Sequence, residues 1–307
     1  MFARLFAEGG LSLDRLRALV EVGAAGSITK AADGDPIKQS QYSRQIKELE
    51  DFFQAKLVER HGKGIRLTGG GRELARISRF FLLGLSNFQR GCLAEEQTFR
   101  IGASATFLER FLLPVLAETP ASRSGPRYAL EIAGDAEIER RLHDLTLDFG
   151  IVTATTISRP LQQKELGSWR LRLWVPKAVC RNESHALHAF KDQRLPLVLP
   201  AGEISLSNLG LLRECEPRLT CSSFLQAQAA LEREGMAALL PDFLVPSRPT
   251  GAFFSVRVSQ LNACGFHYRL AWNPRLLRLN PHASRRRDFL IESLQKRFRS
   301  IARAPVT

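Results

Sequence analysis

Cysteine is scarce and scattered. Cys92, Cys180, Cys215, Cys221 and Cys264 are odd in number and form no C-x-x-C pair, so neither a disulfide framework nor a zinc ligand set is indicated and reduced, structural thiols are expected. Long apolar runs are missing as well. None approaches the ~18 residues of a membrane-crossing helix, and Met1-Phe2-Ala3-Arg4-Leu5-Phe6 is too short for the core of a signal peptide, so a cytoplasmic protein without a membrane partner is expected. Signatures of catalysis are also lacking. Gly69-Gly70-Gly71-Arg72 has no Lys-Ser/Thr for a phosphate loop, and no G-x-S-x-G elbow or pair of catalytic carboxylates occurs. His185-x-x-His188 has helical spacing but no third ligand nearby. No catalytic residue, metal or cofactor is therefore assigned, and the chain is not read as an enzyme.

Acidic residues are the other shortage. Against 44 Lys/Arg stand 31 Asp/Glu, a net charge of +13 that suits a polyanionic partner. The excess is unevenly spread. Residues 1–97 hold 15 Lys/Arg and 12 Asp/Glu, a balance of +3, whereas residues 98–307 hold 29 and 19, a balance of +10. Segment 275–307, with nine basic and two acidic residues and the run Arg285-Arg286-Arg287, reads as a solvated helical face and tail, the alternative being a second electrostatic contact with DNA. With 307 residues, 44% of them hydrophobic, the chain can bury the cores of more than one domain.

What is present is densest between Ser27 and Glu50. Before it, Ser12 is placed to cap an amphipathic helix carrying Leu13, Leu16, Leu19, Val20 and Val22, which Gly23 to Gly26 break. Ser27 caps a short second helix, Ala31-Ala32 allows a close helix crossing, and Gly34 to Pro36 supplies the turn. In the third helix, which ends near Phe53 to Lys56, Tyr42, Ile46, Leu49 and Phe53 recur at steps of four, three and four and mark the inward side. Ser40, Gln41, Ser43, Arg44 and Lys47 fall on the other side, where a major-groove reader needs hydrogen-bonding side chains. Leu57 to Arg60 and Ile65 to Thr68 read as a two-stranded wing around His61-Gly62-Lys63-Gly64, from which Lys63 and Arg66 can reach phosphates.

From Arg72 to about Leu93, the residues Leu74, Ile77, Phe81, Leu85, Phe88 and Cys92 recur at steps of three, four, four, three and four. That is a coiled-coil seam. A helix over 70–93 spans roughly 36 Å at about 1.5 Å per residue, and a partner helix is expected to cover Phe80, Phe81 and Leu85. Such a dimer carries two recognition helices to successive major-groove faces and predicts a palindromic operator.

Beyond Gln97 the pattern alternates. Strands at 99–102, 128–133 and 149–152 with helices at 107–118 and 136–145 make a βαβαβ unit, whose ligands bind outside the carboxyl ends of the strands. Those ends are Ser104-Ala105-Thr106 and Thr153-Ala154-Thr155-Thr156, and hydroxyls beside helix-terminal amides suit a carboxylate or other small anion. A second lobe has strands at 170–176, 195–199 and 219–222 and a helix at 224–234, with Ser222 and Ser223 as its counterpart to Ser104. Late strands at 253–258 and 266–272 and a helix at 289–298 return the chain, giving two hinged halves around a cleft.

These residues resemble the LysR-type transcriptional regulators from Leu11 to Arg299. The specific part is Gly26-Ser27-Ile28-Thr29-Lys30-Ala31-Ala32, then Gln39 to Ile46, Leu49-Glu50, Leu57-Val58-Glu59-Arg60 and Leu67-Thr68-Gly69-Gly70-Gly71. Weaker matches follow at Ile101-Gly102-Ala103-Ser104, Leu112-Leu113-Pro114, Leu147 to Ile151 and Gly235 to Pro241. The resemblance implies a winged helix-turn-helix, a linker helix that dimerises, and a two-lobed α/β effector-binding domain resembling periplasmic binding proteins, commonly assembled as a tetramer. Two departures stand out. Asp35 replaces a usually apolar residue and Lys38 a usual capping Ser; since Asp35-Pro36 is itself a good N-cap and N1 pair, either the third helix begins earlier than in relatives or the turn is rebuilt. Three glycines stand where the family usually has one, a feature that can loosen the hinge behind the wing.

The sequence thus predicts an α+β multidomain protein. A DNA-binding domain covers 1–68, a linker helix 69–97, lobe I 98–162 and 267–307, and lobe II 163–266. Gln39, Ser40, Gln41, Ser43 and Arg44 are expected to read bases or adjacent phosphates of double-stranded DNA, and Lys47, Lys63 and Arg66 to neutralise phosphate. A small organic effector, an anion fitting best, is expected near Ser104, Thr106, Thr153, Thr155 and Ser222, and the assembly as a homodimer or homotetramer. The alternative is a small-molecule-binding α/β protein or enzyme with a helical N-terminal interaction domain.

Overall fold

The computed structural model describes residues 11–61, 64–93, 98–118, 125–203, 216–244, 251–258 and 265–302, together with Leu5 and Leu261. It divides into two compact units, 1–97 with 278–280, and 98–277 with 281–307.

In the first unit, helix α1 (Leu13–Ala25) starts where the Ser12 hydroxyl accepts the Arg15 amide and stops on Gly26 in the left-handed conformation (φ 64°). Helix α2 (Ile28–Ala31) is capped by Ser27. Helix α3 (Pro36–Phe53) uses Asp35-Pro36 as its N-cap and first residue: the Asp35 carboxylate accepts from Ile37 N at 2.9 Å and Lys38 N at 3.4 Å, and Pro36 occupies the first turn. Strands β1 (Val58–His61) and β2 (Gly64–Leu67) form the antiparallel wing. Helix α4 (Gly69–Leu93) follows. Leu16, Leu19, Leu49, Leu57 and Ala75 form the core, with Leu67, Leu74 and Leu82 packed against it.

Three expectations change here. Phe53 is not inward: α3 ends at that residue on a left-handed Gln54, and Phe53 is exposed at the end of the helix, edge-on to Phe52 at 4.9 Å. The glycines are not a hinge between wing and helix but the first turn of α4, and a Cβ on Gly71 would lie 1.9 Å from the Leu57 carbonyl. The apolar seam splits: Leu74 faces the core of its own unit, whereas Ile77, Phe81, Leu85 and Phe88 remain exposed. The side chain of Cys92 lies outside the described residues.

The second unit holds two five-stranded sheets. The first has the order β4 (Arg127–Ile132), β3 (Thr98–Ala103), β5 (Phe149–Val152), β12 (Phe266–Trp272), β6 (Gln162–Trp169). Its β4, β3 and β5 are mutually parallel, β12 is added antiparallel to β5, and β6 is antiparallel to β12. The second has the order β11 (Phe253–Val256), β7 (Leu171–Pro176), β10 (Ala237–Pro241), β8 (Leu197–Leu199), β9 (Leu219–Thr220). A continuous helical stretch, α5 (105–117), leaves β3 through a π-helical turn at Leu108–Leu112, and α6 (Asp135–His143) joins β4 to β5. Lobe II adds α7 (Glu183–Lys191) and α8 (Phe224–Glu234). After β12 come α9 (Pro274–Leu279) and α10 (Pro281–Ala302).

Because β6 pairs with β12 along its whole length, residues 163–169, assigned from the sequence to lobe II, sit in the first sheet, and the crossover falls at Arg170. Strand β10 and helix α7 had no sequence expectation. The lobes meet through aromatic rings: Phe111 lies edge-on to Phe243 at 4.9 Å and Trp169 to Phe224 at 5.5 Å. The arginine run on α10 is largely engaged within this unit. Arg286 lies over Tyr128 and Phe289, and Arg287 over Trp272.

Candidate DNA-reading face and interlobe site

The geometry of α3 follows from which residues tie it down. Its inward side carries Gln45, Ile46 and Leu49, all buried. Tyr42, half-buried, donates its hydroxyl to the Glu21 carboxylate of α1, a bond that together with burial raises the phenol above its ordinary range. At the far end, Glu50 accepts from Leu57 N at 2.8 Å and Val58 N at 3.3 Å and pairs with Lys56 at 3.0 Å. Burial alone would raise its carboxyl, but these partners outweigh it and hold the group below the usual range. The helix is thereby clamped to α1 on one side and to the wing on the other.

Its opposite side faces outward. Ser40, Gln41, Ser43, Arg44 and Lys47 are all exposed, and among the described residues only Arg44 of these has a side-chain partner, Glu48 at 3.6 Å. Glu48 is already held by Arg15, so that partner is shared. Gln39 behaves differently. Half-buried, it donates to the Gly34 carbonyl at 3.0 Å and accepts from the Thr29 hydroxyl at 3.3 Å, so its amide is spent on the turn between α2 and α3. Arg66 is exposed on β2, 3.9 Å from Glu59, and Lys63 lies outside the described residues. Sequence reasoning missed Ile37, which is 80% exposed and lines a shallow groove with Pro36, Ser40, Gln41 and Arg44. Its signal was an apolar residue five positions before Tyr42, off the inward stripe.

In the second unit the predicted hydroxyls are mostly occupied. Ser104 caps α5, accepting from Phe107 N at 3.3 Å. Thr153 donates its hydroxyl to Asp135 at 2.7 Å, and the same carboxylate oxygen accepts from Thr153 N and Ala154 N. Thr155 is exposed on the loop, and its carbonyl accepts from Gln163. Ser222 gives its hydroxyl to Gln226 at 2.9 Å; the cap of α8 is Ser223, the buried neighbour. The sequence also did not single out Glu203, whose carboxylate accepts from Thr106 N at 3.0 Å. Burial raises the Glu203 carboxyl, while the Thr106, Phe224 and Ser104 donors oppose the shift without cancelling it. Fully buried Tyr268 is pushed far above its ordinary range by that burial and by the charge of Glu203.

Two family descriptions match this arrangement. Residues 13–72 match "Bacterial regulatory helix-turn-helix protein, lysR family". Residues 94–295, most of the chain, match "LysR substrate binding domain". The protein belongs to the LysR family of transcriptional regulators. Among curated relatives, this regulator is 27% identical over 240 residues to the HTH-type transcriptional regulator HdfR of Yersinia pestis, covering 76% of its own chain and 82% of that protein. Among solved structures it is similar in fold to ArgP from Mycobacterium tuberculosis (TM-score 0.68, 19% identity, 92% and 97% of the two chains). It is likewise similar to LysG from Corynebacterium glutamicum with bound effector Arg (TM-score 0.63, 18% identity, 93% and 99%). The regulator therefore combines a winged helix-turn-helix with a two-lobed α/β substrate-binding domain. Among the described residues no helix is long and apolar enough to cross a membrane, and no cluster of His, Cys, Asp and Glu could hold a metal ion.

Proposed function

We propose that this regulator reads a specific, two-fold symmetric operator in double-stranded DNA with the exposed face of α3, working in the cytoplasm without catalysing a reaction. The observation that carries the reading is the outward row Ser40, Gln41, Ser43, Arg44 and Lys47 on a helix clamped from behind. A rigid helix with polar side chains left for an external partner is what groove reading requires. Arg44 suits guanine and Gln41 suits adenine, Ile37 is placed to meet a thymine methyl, and Lys47 and Arg66 neutralise phosphate. Gln39 supports the turn and acts on DNA through it.

The homodimer, and the tetramer built from it, rests on the exposed stripe Ile77, Phe81, Leu85 and Phe88, which recurs at steps of four, four and three on one helix. Phe81→Glu places a charge in that seam and is expected to halve the sedimenting mass; an unchanged mass removes the seam from the interface. A small organic effector is proposed to bind near Ser104, Thr106, Thr153, Thr155 and Ser222, which follow the ends of strands in both lobes. LysG, similar in fold and solved with bound effector Arg, supports a small charged effector as the class of ligand. Genomic footprinting of the whole protein tests the central reading: protected sites sharing a palindromic motif are expected, and protection without a common motif would overturn it.

A further inference from the structure

The turn that ends β8 places a carboxylate between the two lobes. Ala201 N bonds to the Leu199 carbonyl and Glu203 N to the Pro200 carbonyl, making a tight turn. Gly202 within it is pressed onto the start of α8 so closely that a Cβ would lie 2.3 Å from the Ser222 carbonyl. Only glycine permits this approach. The turn delivers one Glu203 oxygen to Thr106 N at 3.0 Å in lobe I, and turns the other toward Phe224 N, the first residue of α8 in lobe II, at 3.5 Å. The Ser104 hydroxyl lies against the same carboxylate. The Thr106 hydroxyl is fully buried beside it with no well-formed hydrogen bond of its own. Arg110 of α5 adds a tie across the lobes to Gln228 of α8 at 3.2 Å.

These donors make up a carboxylate site: backbone amides at the starts of two helices and two hydroxyls, around a half-buried carboxylate. We propose that Glu203 is the resident ligand of this interlobe site, so that an external monocarboxylate effector binds there only by displacing the Glu203 side chain. The inference rests on reading the two lobes as the effector domain, and it adds that the domain carries its own anion. Glu203 and Arg110 tie the two lobes to each other directly. A ligand that takes over the amides of Thr106 and Phe224 releases the 201–203 turn, and that release is the change it signals.

The test uses the full-length protein and sodium acetate as probe, against sodium chloride at equal ionic strength, with thermal unfolding as readout. Wild type is expected to show no saturable acetate shift. Glu203→Ala empties the site: its midpoint should fall by several degrees, and acetate or propionate should restore much of the loss saturably, while methylammonium chloride does not. Glu203→Gln keeps the shape but surrenders one acceptor, so it should be less stable than wild type and unresponsive to acetate, and it answers the question should the alanine variant fail to fold. Acetate stabilising wild type as much as Glu203→Ala, or a Glu203→Gln protein as stable as wild type, would overturn the proposal. Operator binding by wild type, measured in parallel, separates the two claims: its absence defeats the DNA reading and leaves the carboxylate result standing.

Discussion

The face of α3 and the strand-end loops of the second unit are built from the same kinds of side chain, and they treat them in opposite ways. On α3 the structural work is done from behind, by Tyr42, Gln45, Ile46, Leu49 and Glu50, and the hydroxyl and amide groups of Ser40, Gln41 and Ser43 are left facing out. In the strand-end loops of the second unit the polar groups are consumed. Thr153 is held by Asp135, Ser222 by Gln226, and the Thr106 amide by Glu203. A polar residue exposed on a rigid element is available to a partner at no structural cost, whereas one already bonded within the fold must first be released. The comparison separates a surface preorganised for an external ligand from one whose binding is coupled to rearrangement.

Substitutions sharpen that contrast through stability. The largest loss is expected at the end of β5. Asp135→Ala leaves Thr153 N, the Thr153 hydroxyl and Ala154 N without their shared acceptor; at about 1–3 kcal/mol for each buried donor left unmade, discounted for partial exposure, roughly 2–3 kcal/mol should appear in chemical unfolding of the second unit. Ser223→Ala removes a helix cap and should cost about 1 kcal/mol in the same measurement. Gln41→Ala, on the exposed face, should stay within about 0.5 kcal/mol of wild type while weakening DNA binding. If Gln41→Ala proved as destabilising as Asp135→Ala, the distinction between the two regions would collapse.

Much of the N-terminal architecture was legible in the sequence because its determinants are local. Ser12, Ser27 and Asp35 cap helices from one residue before them, and a stripe spaced at three and four marks the buried side. Legibility ended where local rules met long-range packing. Phe53 continued the stripe by period but lies beyond the end of the core, and Gln39 sits at the entry to the outward face yet folds back onto Gly34. In the second unit the strand-end rule located Ser104 and Thr153, but their partners are distant: Asp135 lies 18 positions before Thr153, and Glu203 lies 97 positions after Thr106. The same rule applied to the apolar strand 197–199 points to Glu203, because it too follows the carboxyl end of a parallel strand. Residue 170 as the crossover was not legible, since 163–169 joins a strand contributed from about a hundred residues later.

Base reading by α3, as opposed to mere attraction to phosphate, is the property that distinguishes a sequence-selective regulator from a general DNA binder. The direct measurement is the affinity of wild type and Arg44→Ala for a footprinted operator and for unrelated DNA of equal length at one salt concentration. A loss of about 1–3 kcal/mol on the operator, with little change on the unrelated DNA, is the predicted result. Equal losses on both would show that Arg44 contacts phosphate alone and would contradict base reading by this face.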